Sequence, residues 1–139
     1  MQVVQKPAEK DVEVEIRNAY RALQTAQANL QIGDPDAAVS RCYYASFYAA
    51  RAVLWTQGHA PRTHRGLMHL FGMHLIREGL VDEEMMGILL RGQAQREYAD
   101  YMQEDVSAEQ AERLIEESRK FVDVMATLLE DRGYVVERS

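Results

Sequence analysis

Arginines and aromatic residues are interleaved in the stretch SRCYYASFYAARAVLW, residues 40 to 55, with little else that is polar. If that stretch is a helix turning about 100° per residue, Arg41, Tyr44, Tyr48, Arg51 and Trp55 share an arc of roughly 80°. A guanidinium held among rings can stack on their faces, pair with a carboxylate from another helix, or grip a phosphate in its bidentate fork. Two readings stay open. In one, Arg41 and Arg51 are interhelical ion-pair partners of Asp100 or a glutamate, their alkyl stems covering the core, because a buried charge is costly unless paired. In the other they form an anion site or a self-association surface.

A second cluster lies in PRTHR, where Arg62, His64 and Arg65 gather at the start of the next helix. Backbone N–H groups and the helix dipole favour an anion there, and the competing reading is a solvated loop with Thr63 as cap. A third candidate is Arg96, four residues before Asp100 at ion-pair spacing. The histidines, at 59, 64, 69 and 74, are five apart, so a continuous helix would scatter them by about 140° each. With no Glu-x-x-His pair and no cysteine cluster, neither a metal site nor a cofactor is expected. The methionines at 68, 73, 85 and 86 read as core filler or a helix-packing surface.

These side chains need helices to carry them. Val12, Ile16, Ala19, Tyr20, Leu23, Ala26 and Leu30 recur at helical spacing, predicting a first helix over about 8 to 32 that ends at Gly33. Asp34 as N-cap and Pro35 at the first position open a second helix, which runs to Gln57. Thr63 caps a third that lasts to Glu78. Asp82 caps a fourth, containing MMGILLRGQAQREYADYM, and Ser107 with Gln110 forms a capping box for a fifth that ends near Arg132. Alternating strand pattern is absent, except for a hint in the tail YVVERS. The expectation is an all-α, up-and-down antiparallel bundle of about five helices. It forms a single domain over 1–139, with its core at about 10–132 and a short tail at 133–139.

The 139 residues suit one core, and 47% hydrophobic with 27% charged residues is the balance of a globular chain. A single cysteine, Cys42, excludes an internal disulfide and favours a reducing, cytoplasmic setting. No apolar run is long enough to span a bilayer, so no membrane association is expected. The net charge of -6 argues against broad duplex binding and leaves room only for a local basic patch.

The sequence resembles the HEPN domain in its compact stand-alone prokaryotic form. AAVSRCYYASFYAARAVL in the second helix, GHAPRTHRGLMHLFGMHLIREGL in the third and QREYADY in the fourth carry the likeness, over about residues 10 to 130. The resemblance implies a helical bundle that homodimerises, binds RNA or a nucleotide, and works as one component of a toxin–antitoxin pair with a minimal nucleotidyltransferase. Ribonuclease members place a histidine after a late-helix arginine with four to six residues between the two. Here Arg96 stands at the arginine's place, and Tyr101 stands where the histidine is expected. Arg62 and His69 satisfy that spacing by count, but they belong to a loop and the third helix. The resemblance thus makes Arg96 and Tyr101 the catalytic candidates. Arg41, Arg51, Arg62, His64 and Arg65, together with Arg96, are expected to contact phosphate, on the strength of the stripe and the basic helix start, with Tyr44, Tyr48 or Tyr98 stacking or fixing the arginines. Two alternatives accompany it: a metal-independent ribonuclease toxin with a rearranged site, using Tyr101 or a histidine from another helix, and a structural protein-interaction adaptor.

Overall fold

The computed structural model describes residues 9–101 and 105–138. Five α-helices follow in order: α1 Glu9–Gln31, α2 Pro35–Thr56, α3 His64–Phe71, α4 Glu83–Tyr101 and α5 Ala108–Asp131. The chain is an all-α bundle, with no strand among the described residues.

Local chemistry sets the helix starts. The Ala37 N–H donates to the Asp34 carboxylate (3.2 Å), Gly66 N–H to Thr63 Oγ1 (2.9 Å) and Glu84 N–H to Asp82 Oδ1 (2.8 Å). Each bond satisfies a donor that the first helical turn leaves without an intrahelical partner. Before α5, Gln110 N–H donates to Ser107 Oγ (3.1 Å) while the Gln110 side chain accepts from Ser107 N–H (2.9 Å), a closed capping box. Gly33 makes the turn into α2 at φ 84°, a left-handed backbone that a Cβ would oppose.

α2 is the central helix and touches all four others. Its buried residues include Ala38, Ala45, Ala49, Ala50 and Ala52, and these short side chains let neighbours approach from several sides. α1 lays Val12, Ile16, Ala19 and Leu23 against it, and α5 adds Phe121, Val122, Met125 and Leu129. A smaller apolar group formed by Ala26, Val39, Cys42, Ala111, Leu114 and Ile115 closes the end where α1 finishes and α5 begins.

Three features depart from the periodicity. The third helix does not continue regularly to Glu78: after Phe71 it widens into a π-helical segment, Gly72–Ile76, with Arg77 N–H bonded to the Gly72 carbonyl (2.9 Å). His59 and His74 are brought together rather than scattered, their rings stacked at 4.1 Å, because His59 lies outside any helix. The tail is neither strand nor loose end. Val135 N–H donates to Glu13 Oε2 (2.8 Å), Tyr134 and Val136 pack on the core, and Arg138 pairs with Glu130 and Asp123 on α5. No helix among the described residues is long and apolar enough to cross a membrane. Nor do these residues contain a group of three or more His, Cys, Asp or Glu able to hold a metal ion.

Candidate anion site on α2, α3 and α4

The arginine stripe of α2 divides in two. In its second half, the Arg51 Nε–H donates to Glu15 on α1, a carboxylate only 8% exposed, and the guanidinium also lies over Phe47 (5.1 Å), Tyr48 (5.7 Å) and Trp55 (5.2 Å). A phosphate would have to displace that carboxylate. Arg51 is thus engaged by Glu15, with Tyr48 as a ring under the paired cation. Glu15 was legible as a signal, since an acid at the third position after Val12 and beside Ile16 sits on the apolar face of α1 and demands a cationic partner.

The first half assembles a different site. Arg41 Cζ stands 5.0 Å from the Tyr44 ring centroid, and Arg96, arriving from α4, stands 5.0 Å from the same ring and 5.4 Å from Tyr43. Two guanidinium groups thus share one tyrosine. His64, the first residue of α3, inserts its imidazole beside them, with ring centroids 5.1 Å from Tyr43, 6.4 Å from Tyr44 and 4.9 Å from Phe47. Its Nδ1 is hydrogen-bonded to Tyr43 Oη.

Electrostatically the patch sets two guanidinium groups against the Glu97 carboxylate, which acts on both Tyr43 and His64. No described carboxylate forms an ion pair with Arg41, while Arg96 meets only Asp100, at 3.8 Å and with that acid half exposed. An i,i+4 pair of this kind contributes a few tenths of a kcal/mol and leaves most of the charge available. Burial first, and the Arg96 charge second, hold His64 below the usual imidazole range, so it is neutral at pH 7. Burial pushes the Tyr43 phenol up to about 12 against the opposing pull of Arg96, so it keeps its proton. Arg62 and Arg65 are exposed on either side of Thr63 and His64.

Two predicted residues stay outside. Tyr101 is 79% exposed at the end of α4 and lies about 140° around the helix from Arg96, so no Arg96–Tyr101 pair forms. Tyr98 lies about 200° around from Arg96, on the opposite side of α4. The imidazole beside Arg96 comes from α3 instead, thirty-two positions earlier in the chain.

Gly92 makes the approach of α4 close enough, and its only sign in the sequence is a glycine inside a helical pattern. A Cβ there would lie 3.7 Å from Tyr43 Cδ2 and 4.0 Å from Tyr43 Cα, so α4 rests directly on α2 one turn before Arg96. Alanine fits at ordinary contact distance and removes the helix cost of glycine. Gly92→Ala is expected to raise stability by about 0.5–1 kcal/mol. Gly92→Leu should lower it by roughly 1–3 kcal/mol through overpacking and carry Arg96 off its rings. Thermal unfolding of both variants checks the contrast: equal effects would show that the contact with Tyr43 does not govern the crossing.

Comparison with known proteins agrees with this architecture. The family model described as "HEPN domain" matches residues 12–129. A protein of Methanocaldococcus jannaschii named "Putative toxin MJ0605" is 35% identical over 94 residues, 68% of this chain and 70% of that one. One from Gloeobacter violaceus, "UPF0332 protein glr0978", is 34% identical over 114 residues, 78% of this chain and 90% of its own length. A second M. jannaschii protein, "Putative toxin MJ0142", is 26% identical over 124 residues, 88% of this chain and 84% of its own. With a match that spans α1 through most of α5, the chain belongs to the HEPN domain family.

Proposed function

We propose that this chain is the HEPN component of a toxin-type pair, acting as a homodimer with a small nucleotidyltransferase, and that it binds the phosphates of RNA, or of a nucleotide, at the α2–α3–α4 patch. The observation that carries this reading is the convergence of Arg41 and Arg96 on Tyr44 beside His64. Stacked guanidinium groups are oriented in advance, so less side-chain entropy is lost when each takes a phosphate. The site is a partly exposed patch flanked by Arg62 and Arg65, which favours a strand running across it over a small enclosed ligand. The names of the two M. jannaschii relatives support the toxin side of the reading.

Fluorescence anisotropy of labelled oligouridine over a range of salt concentrations tests it. Two phosphate contacts predict a slope of log K on log salt of about -1.4, and engagement of Arg62 and Arg65 would take it toward about -2.8. Absence of binding at low salt would overturn the proposal.

A ribonuclease with a rearranged site is the second reading, favoured by one observation: an imidazole does stand beside Arg96, supplied by α3. A guanidinium to neutralise phosphate and a histidine to move a proton are the elements such chemistry needs. Metal-free cleavage of the same RNA, lost in Arg96→Ala, would establish it, and intact RNA after prolonged incubation with pure protein would exclude it.

A further inference from the structure

We infer that Tyr43 is a positioning residue that fixes His64 as the Nε2–H tautomer, so that the imidazole meets the anion as a hydrogen-bond donor and not as a base. The inference rests on the reading of Arg41, Arg96 and His64 as one anion site. Tyr43 is 1% exposed, and among the described residues its hydroxyl has a single hydrogen-bond partner, His64 Nδ1. A buried O–H that did not donate to Nδ1 would forfeit that bond, which costs more than the bond itself contributes. The phenol therefore donates, Nδ1 accepts, and the one proton of a neutral imidazole is left on Nε2.

The surroundings support the assignment. From α2, Tyr43, Tyr44 and Phe47 face the His64 ring; from α4, Arg96 and Glu97 act on it, and Arg62 and Arg65 flank it along its own segment. The Arg96 charge and the apolar walls oppose a second proton. A neutral donor beside Arg96 suits a phosphate diester, which it can hold without taking up or releasing a proton. For Nε2 to serve as a base, the ring would have to move its proton to Nδ1 and break the bond from Tyr43. The same contact that orders the site thus disfavours general-base chemistry at it.

The tautomer can be read without any ligand. In the protein labelled with 15N at histidine, with His64 assigned through His64→Gln, long-range 1H–15N correlation should show a pyridine-type Nδ1 and a protonated Nε2. Tyr43→Phe should turn this into a mixture of tautomers while thermal unfolding confirms a folded bundle. A protonated Nδ1 in the parent, or an unchanged spectrum in Tyr43→Phe, would overturn the inference. With oligouridine as probe, Tyr43→Phe should weaken binding about three- to tenfold. His64→Gln, whose amide N–H takes the place of Nε2–H, should stay within about threefold of the parent, while His64→Ala loses about tenfold. If His64→Gln falls to the level of His64→Ala, the donor role is rejected. If RNA fails to bind the parent yet the tautomer is as stated, the binding function falls and the positioning by Tyr43 stands.

Discussion

Replacing Arg51 by methionine is expected to destabilise the protein by roughly 3 kcal/mol, whereas replacing Arg51 and Glu15 together by methionine and leucine should return it to within about 1 kcal/mol of the parent. The single change leaves the Glu15 carboxylate buried against α2 with its cation gone, and an unpaired buried charge costs far more than a pair contributes. The loss is at the low end for a buried pair because the Arg51 side chain is 26% exposed and water can partly compensate. For a chain of this length the loss corresponds to a fall in Tm on the order of 10 °C. The double variant removes both charges and leaves apolar groups of similar reach against Phe47, Tyr48 and Trp55. Thermal unfolding of the four proteins in this cycle gives the coupling directly. A Tm for Arg51→Met within about 2 °C of the parent would show that Glu15 is solvated without its partner, and would leave Arg51 open to a phosphate.

That cycle bears on what the sequence could reveal. The helix starts at Asp34–Pro35, Thr63, Asp82 and Ser107 were legible because a cap is a bargain between residues two or three apart, and everything it needs is written nearby. The central place of α2 followed from its alanines. Arg41, His64 and Arg96 were legible as candidates by type, but their meeting was not, since it depends on α3 and α4 closing on α2 at Phe47 and Gly92. Spacing left two questions open. Tyr101, placed by the family pattern, is turned away from Arg96 by helical rotation, and of Arg41 and Arg51, which share one stripe, Arg51 is the one paired with a buried acid. The π-helical segment after Phe71 had no sequence sign, because the periodicity of Leu67, Phe71 and Leu75 is satisfied equally by a regular helix. The docking of the tail through Val135 on Glu13 is a contact over more than a hundred residues, beyond any local pattern.

Removing both site arginines is expected to weaken oligouridine binding by about a hundredfold or more. A hydrogen bond to a charged group contributes about 1.5–3 kcal/mol, so Arg41→Ala and Arg96→Ala should each lose about tenfold to a hundredfold. The two effects should not simply add, because both guanidinium groups rest on Tyr44 and the loss of one frees the other to reorient. The salt dependence gives a reading that general destabilisation does not: the double variant should lower the slope by about 1.4, the share of two phosphates. Arg96→Lys should recover little, since an ammonium lacks the planar, delocalised group that lies near Tyr43 and Tyr44 and offers no two-pronged contact. Tyr101→Phe provides the opposing control. Its phenol is solvent-exposed and turned away from Arg96, so affinity and slope should both match the parent. If the double arginine variant binds as tightly as the parent while Tyr101→Phe does not, the anion is held at the end of α4, and the pairing of Arg41 with Arg96 is packing alone.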